Sequence, residues 1–548
     1  MRTALRWIST TLMCLMAWLL AGGALLENIQ IEGYAQQACL PPNAAAGPDQ
    51  SIFVGQTAQL DGGASSQSSS CTSSLIFAWS FVSRPSGSQA ALSDAAVAKP
   101  TFVADVVGYF KLRLTVKNQA GSDADLITIT SQREPRKINV PQDFSSIQAA
   151  IDAASAGDIV FIDAGTHSAN LTISKPITLQ GASRDATIIS GDLQVPAVVI
   201  TGTSDVAITD LTITRGSGGT GDSGRGGGLD ISNSTVTMRN VVVRENLRHG
   251  LLADGSTLTL RDSQILNNQL SSDGQRGRGI TLIQSIASIE STTVSGNAQD
   301  GILVAGDSVA EIVNSRISDN RSAVDNTFSR GVTVTDNGSV VIRDSAISGN
   351  GDSGVSLFNT ANATIQDSTI TNNSQVGIGM QDASRAVVEN TQISQNVKGG
   401  IFMFHTTQAE IRKSTISNNE KLGLVLQNDS TVTLEQVTIS GNKDTGLWAL
   451  NQSKATIENS TITSNGFVGV DLASNSIVTL KGSKISENKN AGVVVRDDAR
   501  ATVIENTITT NATWGMWVEK AADLVECRGN TITGNSTDLN DVARLKCK

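Results

Sequence analysis

The 548-residue sequence has few aromatic side chains, little charge and no excess of basic residues. Aromatic residues make up 4% of the chain and charged residues 17%, so few large side chains are available to fill conventional cores. The formal net charge is −10, which argues against a nucleic-acid partner, because binding to a phosphate backbone requires a basic surface. The chain has instead 50 glycines and abundant Ser, Thr and Asn, a composition typical of many turns.

Long hydrophobic runs are also scarce, and the one that is present lies at the N-terminus. Two arginines precede an apolar run from Trp7 to Leu26, and small residues follow near Ala35. This order is typical of a secretory signal peptide, which we predict at residues 1–35. The run is close to membrane-spanning length, so an uncleaved anchor is the alternative. After cleavage we expect no membrane partner, and a secreted or cell-surface protein, with the periplasm as a further location.

The five cysteines include one, Cys14, that would be removed with the signal peptide. Two local disulfides, Cys39 with Cys71 and Cys527 with Cys547, are the simplest arrangement of the other four and predict an oxidising compartment. A metal site is the alternative, but the four cysteines are far apart in sequence and none lies near a histidine.

Residues 39–131 contain short alternating runs separated by turn residues, a pattern that predicts a small antiparallel β-sandwich. The segments Gly47-Pro-Asp-Gln50, Leu60-Asp-Gly62 and Ala78-Trp-Ser80 resemble those of PKD-type immunoglobulin-like domains. The resemblance implies a spacer or adhesion module. A polar segment with a proline follows, and we predict a linker at residues 132–142.

The second half of the chain repeats one short pattern every 23 residues. A buried-type Asn recurs at this interval, and in each unit a Gly is followed by an apolar residue. The aligned asparagines are Asn350, Asn373, Asn396, Asn419, Asn442, Asn465, Asn488 and Asn511. This period predicts a solenoid whose coils lie about 4.8 Å apart, with the asparagines stacked in an inner ladder.

A helix pattern at residues 143–156 precedes the repeats and would cover the open end of the solenoid. The helix and the repeats resemble the right-handed parallel β-helix of pectin-lyase-like proteins. Many members of that family cut or epimerise acidic polysaccharides, and others are adhesins or surface proteins. The predicted fold class is therefore all-β, with a parallel β-helix of roughly 23-residue coils over residues 143–548.

Three insertions interrupt the repeat at one corner, between residues 215 and 353. In this region the residue before the Gly is polar, and these residues are candidate catalytic groups: His249, Arg278, Asp300 and Arg330. Strand alternation by itself would turn this position inward, so its charges predict only that it lies in a turn. Solvated ion pairs of little energetic value are therefore the alternative interpretation.

The same corner contains candidate ligand-binding groups. Arginine holds a carboxylate in a bidentate manner, and the candidate binding arginines are Arg225, Arg248 and Arg276. No motif requires a cofactor, but carboxylates could bind a bridging Ca²⁺, and the candidate ligands are Asp222, Asp273, Asp300 and Asp325. Phe402, Trp448 and Trp517 lie two residues after the Gly, an outward position from which an aromatic ring could stack on a sugar.

Two functions are compatible with this sequence. The first is a rigid binding or adhesion platform for an extracellular polysaccharide or a cell-surface ligand, because the coils are long and regular and no diagnostic catalytic motif is present. The alternative is a carbohydrate-active enzyme, a lyase or hydrolase on an acidic polysaccharide, with its site on the inserted loops of coils 215–353. Fold alone does not distinguish them.

Overall fold

The computed structural model describes residues 38–218, 225–271, 277–322 and 329–547. The chain divides into two compact units, Met1–Glu134 and Pro135–Lys548. The predicted signal peptide at residues 1–35 lies outside the described residues. Within the described ranges, no helix is long and apolar enough to cross a membrane.

The first unit contains two small sheets. The strands of a four-stranded sheet are, in spatial order, Gln50–Phe53, Gly121–Gln132, Gly108–Asn118 and Ile76–Ser83. Thr57–Gln59 pairs with Thr101–Val103 in an antiparallel two-stranded sheet. The predicted antiparallel sheets are confirmed, although the edge strand Gln50–Phe53 pairs in parallel with its neighbour. Alternate residues of these strands are buried around Trp79, Phe102 and Phe110.

The second unit begins with a strand inside the segment that was predicted to be a linker. Lys137–Val140 pairs in parallel with Ile159–Ile162, so the connection between units is shorter than residues 132–142. The reason is the alternation of Ile138 and Val140, whose side chains are both buried in the solenoid core. The capping helix is also shorter than predicted, Ile147–Ala153, because Ser146 caps it and accepts a hydrogen bond from the Ala149 amide.

Three long parallel sheets form the walls of the solenoid, and successive strands of each sheet come from successive coils. In the described ranges, the strands of sheet 1 are Leu171–Ile173, Val198–Thr201, Leu229–Ser232, His249–Asp254, Arg278–Ile283, Ile302–Ala305, Val332–Val334, Val355–Leu357, Val376–Met380, Gly399–Met403, Leu422–Leu426, Leu447–Ala449, Val470–Leu472, Ala491–Val495, Trp514–Val518 and Thr537–Leu539.

The described strands of sheet 2 are Lys137–Val140, Ile159–Ile162, Thr178–Gly181, Val206–Thr209, Thr235–Arg239, Thr257–Arg261, Ile286–Glu290, Val309–Val313, Ser339–Arg343, Asn362–Gln366, Arg385–Glu389, Gln408–Arg412, Thr431–Glu435, Lys454–Glu458, Ile477–Lys481, Arg500–Ile504 and Asp523–Arg528. Those of sheet 3 are Gly165–Ser168, Thr187–Ser190, Thr212–Thr214, Val242–Arg244, Gln264–Leu266, Thr293–Ser295, Arg316–Ser318, Ala346–Ser348, Thr369–Thr371, Gln392–Ser394, Thr415–Ser417, Thr438–Ser440, Thr461–Thr463, Lys484–Ser486, Thr507–Thr509 and Thr531–Thr533.

A ladder of buried asparagines occupies the corner between sheet 3 and sheet 1, as the sequence predicts. The Asn373 side-chain amide donates to Asn396 Oδ1 at 2.9 Å, and the Asn373 backbone N–H donates to the same oxygen at 3.1 Å. The same pair of bonds recurs from coil to coil between Asn246 and Asn535. Each asparagine thus satisfies a turn amide that water cannot reach, and fixes the position of the next coil.

The glycine that follows this ladder is required by a close approach. A Cβ atom on Gly354 would lie 2.5 Å from Ile370 Cγ2 and 2.7 Å from the Gly377 carbonyl oxygen. The next residue, Val355, is fully buried. The backbone at this glycine therefore packs directly against the interior and the next coil, and any larger residue would push adjacent coils apart.

Two predicted disulfides are confirmed. Cys39 is bonded to Cys71 in the first unit, and Cys527 is bonded to Cys547 beside the last helix, Asp541–Lys546. This helix packs against the final strands of the solenoid, where Ala543 is fully buried.

The asparagine ladder leads to a stability prediction. Asn419→Ala removes the oxygen that accepts hydrogen bonds from the Asn396 backbone N–H and side-chain amide. We expect a loss of about 1–3 kcal/mol in unfolding free energy for each group left without a partner. Thermal and urea unfolding would measure it.

Ser430→Ala is the matched control. Ser430 is fully buried in the same coil, at the corner between sheet 1 and sheet 2, and its hydroxyl has no hydrogen-bond partner among the described residues. Removing it should leave stability unchanged or raise it, because a buried polar group without a partner is unfavourable. Equal losses in both variants would contradict the role given to the ladder.

Candidate functional site

The outer face of sheet 1 brings three columns of side chains together. In each coil the Gly and the following apolar residue both pack inward, so the residue before the Gly and the residue two after it share the outer face. Gly399 and Phe402 illustrate this, since a Cβ on Gly399 would meet the Phe402 ring at 2.6 Å. Strand alternation, which by itself would turn the residue before the Gly inward, therefore does not continue through the Gly. The prediction that this residue lies in a turn is wrong for His249 and Arg278, which begin strands of sheet 1. The residue four after the Gly completes the outer face.

Three of the candidate catalytic residues lie together on this face. Arg278 Nε donates to Asp300 Oδ2 at 3.2 Å, and the Arg330 backbone N–H donates to Asp300 Oδ1 at 3.2 Å. Arg330 Nε lies 3.2 Å from Asp352 Oδ2, and its guanidinium lies 4.9 Å from the centre of the Phe358 ring. Arginine and aspartate side chains therefore alternate from one coil to the next.

Asp300 is the deepest charged group of this cluster. Its side chain is 2% exposed, and burial raises the pKa of the Asp300 carboxyl, while the charges of Arg278 and Arg330 oppose this shift. Such a carboxyl is a buried structural partner for two arginines. A raised pKa beside positive charge is also a common property of catalytic acids, so the group stays a candidate.

The other described candidates of this corner are engaged with the protein itself. His249 is buried, and its Nδ1 lies 3.0 Å from the Thr281 hydroxyl. Arg225 forms ion pairs with Asp230 and Asp254, and Arg248 is buried and donates to the Arg225 carbonyl. These contacts hold the corner together.

The remaining candidates of the corner fall outside the described residues. They are Arg276 and the proposed Ca²⁺ ligands Asp222, Asp273 and Asp325. Among the described residues, no group of three or more His, Cys, Asp or Glu side chains could hold a metal ion. Asp300, the fourth proposed Ca²⁺ ligand, is paired with arginine, so the Ca²⁺ prediction depends on the three other aspartates.

A groove of about 670 Å³ begins at Arg330 and continues along sheet 1 to Leu422. Phe358, Phe402 and Phe404 line it, and the rings of Phe402 and Phe404 meet edge to face at 6.2 Å. At its rim, Lys398 and Lys421 are exposed and form no ion pair within the described part of the chain.

Sequence reasoning identified Arg330 and Phe402 but not the two lysines or the other two phenylalanines. A signal was present, because Lys398 and Lys421 are 23 residues apart, two residues before successive glycines.

A second, smaller cavity of about 360 Å³ lies further along the same face. Trp514, Trp517 and Phe467 line it, together with Asp471 and Arg496. Of the predicted aromatic column, Phe402 therefore lies in the first groove and Trp517 in the second cavity. Trp448 lies between them, half-buried and in neither.

The buried position of Asp300 predicts how stability depends on pH. Because its folded-state pKa is raised, the folded protein binds more protons than the unfolded chain between the unfolded and folded pKa values. Stability contributed by Asp300 is thus greatest below the unfolded pKa and is lost as pH rises through the folded pKa. Relative to Asp300→Asn, the wild type should gain stability as pH falls through this interval, as thermal unfolding across pH would show. The opposite slope would mean that the arginines outweigh burial.

Comparisons with known proteins support the fold. A family model described as "Right handed beta helix region" matches residues 272–416 and 399–542. No curated protein matches the sequence. Among solved structures, a nucleoside hydrolase-related hypothetical protein from Saccharophagus degradans is 20% identical over 19% of this chain and 28% of its own chain, with a TM-score of 0.16. The PKD domain from the KIAA 1837 protein is 24% identical over 17% of this chain and 87% of that domain, with a TM-score of 0.15.

The periplasmic alginate epimerase AlgG is 12% identical over 77% of this chain and 86% of its own, with a TM-score of 0.37. These likenesses do not extend to activity or ligand, and they leave the PKD assignment of the first unit as a prediction. The family match and the three stacked parallel sheets together establish the architecture of the second unit. It is a right-handed parallel β-helix.

Proposed function

We propose that this protein is a secreted or cell-surface binding platform that holds an extended acidic polysaccharide along the outer face of sheet 1. The groove between Arg330 and Leu422 is the principal site. The observation that carries the proposal is the presence, beside three phenylalanine rings on one face, of two lysines that form no ion pair with any residue that the structure describes.

The charge of the groove favours an acidic ligand. The protein as a whole is acidic, with a net charge of −10, yet the rim of the groove presents Lys398 and Lys421 side by side on adjacent coils. Nearby arginines are neutralised by aspartates, as Arg330 is by Asp352. The lysines are therefore the groups available for the carboxylates of a uronate polymer.

The shape and apolar lining of the groove favour a polymer of sugars. Phe358, Phe402 and Phe404 offer ring faces and edges, against which the apolar faces of sugar rings can stack. Sheet 1 continues past both ends of the groove, and its strands lie about 4.8 Å apart. A linear chain could therefore lie along the stack without bending.

An extracellular or periplasmic location agrees with the two disulfides, which persist in oxidising compartments. The first unit would then serve as a spacer or adhesion module, in keeping with its PKD-like sequence. We assign no catalytic step to the first unit.

The second candidate function is a polysaccharide lyase or glycoside hydrolase. The observation in its favour is Asp300, a buried carboxyl with a raised pKa that accepts a hydrogen bond from the backbone of Arg330, the residue that lines the end of the groove. Incubation with polygalacturonate, polymannuronate and hyaluronate, with and without Ca²⁺, would test it. New unsaturated or reducing ends that disappear in Asp300→Asn would replace the binding proposal with this one.

The binding proposal predicts a specific loss of affinity in the double variant Lys398→Gln, Lys421→Gln. We expect affinity for acidic polysaccharides of this panel to fall about tenfold, which corresponds to about 1.4 kcal/mol, because both positive charges of the rim are removed. The salt dependence of binding should also weaken. Calorimetry or biolayer interferometry at low and high salt would measure both effects.

Lys454→Gln is the matched control. Lys454 is likewise exposed and forms no ion pair among the described residues, but it begins a strand of sheet 2. Its replacement changes the net charge without touching the groove, and affinity should stay as in the wild type. An equal loss in this control would indicate non-specific attraction, and unchanged binding in the double variant would contradict the proposed site.

A further inference from the structure

The cavity around Trp514 and Trp517 differs in charge from the groove at Arg330. Asp471 is the buried carboxylate among the described residues of its lining. Arg496 donates two hydrogen bonds of 3.0 Å each to this carboxylate, from Nε and from Nη2. The Asp471 side chain is 9% exposed and that of Arg496 36% exposed. The two charges cancel, and none of the described residues that line the cavity is a lysine. An anionic group would find no uncommitted positive charge there.

Relative to its volume, this cavity is lined by more aromatic residues than the groove is. Trp514 and Trp517 are both half-buried and leave part of each ring accessible, and Phe467 is 47% exposed at the edge. Partly exposed indole rings in a concave site are suited to stacking against the apolar face of a sugar ring. The fixed Asp471–Arg496 pair presents polar atoms beside these rings, which could accept and donate hydrogen bonds to hydroxyl groups.

The cavity and the groove are joined by one column of residues on the outer face of sheet 1. Each member pairs with the next across adjacent strands, and the members are Phe402, Val425, Trp448, Asp471, Val494 and Trp517. Five strand steps of about 4.8 Å place Phe402 and Trp517 about 24 Å apart. Apart from Asp471, which is neutralised, the column between the two sites is apolar or aromatic.

We propose that the cavity around Trp514 and Trp517 is a second carbohydrate subsite that takes an uncharged sugar unit of the polymer whose acidic units occupy the groove. This inference rests on the proposed function and narrows the ligand to an acidic polysaccharide with stretches of neutral or esterified units. The neutral Asp471–Arg496 pair selects against a carboxylate, and the column between the sites carries the intervening chain.

Galacturonan of graded methyl esterification is a suitable probe, because esterification removes charge without changing the sugar backbone. Three samples are needed: a fully de-esterified short oligomer, a fully esterified short oligomer and a polymer with charged and esterified blocks. Trp517→Ala should weaken binding of the block polymer roughly five- to tenfold and leave binding of the de-esterified oligomer unchanged. Trp517→Phe should retain most of the affinity, because it keeps an aromatic face.

The control variant is Ile477→Ala, which removes an exposed apolar side chain from sheet 2. Melting temperatures of all variants would show that each one is folded. The esterified oligomer should also shift the tryptophan fluorescence of the wild type, and Trp517→Ala should reduce that shift. Unchanged affinity of Trp517→Ala for the block polymer, or the absence of a fluorescence response to the esterified oligomer, would overturn the second subsite.

The lysine double variant separates failure of this inference from failure of the proposed function. One outcome is that the double variant Lys398→Gln, Lys421→Gln loses affinity for the de-esterified oligomer while Trp517→Ala binds every sample as the wild type does. That result would support the groove as a binding site and overturn the second subsite. If no charged sample binds the wild type, the proposed function is contradicted. The fluorescence response to the esterified oligomer then decides by itself whether the cavity binds sugar. A response there would require a neutral polysaccharide as the ligand, which would overturn the inference of one mixed polymer.

Discussion

The buried hydrogen bond from one asparagine to the next is the constraint on which the rest of this structure depends. A turn amide enclosed by the solenoid has no access to water, and the Asn oxygen of the following coil is its partner. The glycine that follows allows the backbones to approach closely enough for this bond, as the short contacts at Gly354 show. The two residues act together. The hydrogen bond between asparagines fixes the distance between adjacent coils, and the glycine allows the backbones to come that close.

The same constraint determines where functional side chains can lie. Because the glycine and its successor both face inward, the outer face of sheet 1 receives the residues before and two after the glycine. Side chains from successive coils are therefore held about 4.8 Å apart in straight columns. This geometry places Arg278, Asp300 and Arg330 in contact. Lys398 and Lys421, each two residues before its glycine, lie side by side because the residues that follow them pair across adjacent strands. A rigid row of this kind suits a linear ligand better than a compact one.

The inner structure could be predicted from the sequence because every coil has the same interior. The 23-residue period, the asparagine ladder and the inward apolar column are repeated, and each repetition strengthens the pattern. The outer face has no such requirement. The 23-residue spacing of Lys398 and Lys421 is visible in the sequence, but their place at the rim of a groove, and that of Phe358 within it, depends on neighbours from adjacent coils. The strand at Lys137–Val140 was missed for a related reason, since its two buried side chains occur once and next to a proline.

The ion pairs of the irregular corner make it a poorer candidate for ligand binding than the regular repeats. In the sequence, the polar residues of the corner are the more conspicuous candidates, because they stand out against the repeat. In the structure, Arg225, Arg278 and Arg330 each form an ion pair with an aspartate. Such a pair must be broken before the arginine can pair instead with a carboxylate of a ligand. Unlike Lys413 and Lys443, which pair with Glu389 and Glu420, Lys398 and Lys421 of the regular coils have no such partner among the described residues. Their charge is available without that cost. The function we propose therefore places recognition of an acidic polymer in the part of the solenoid whose sequence looks purely structural.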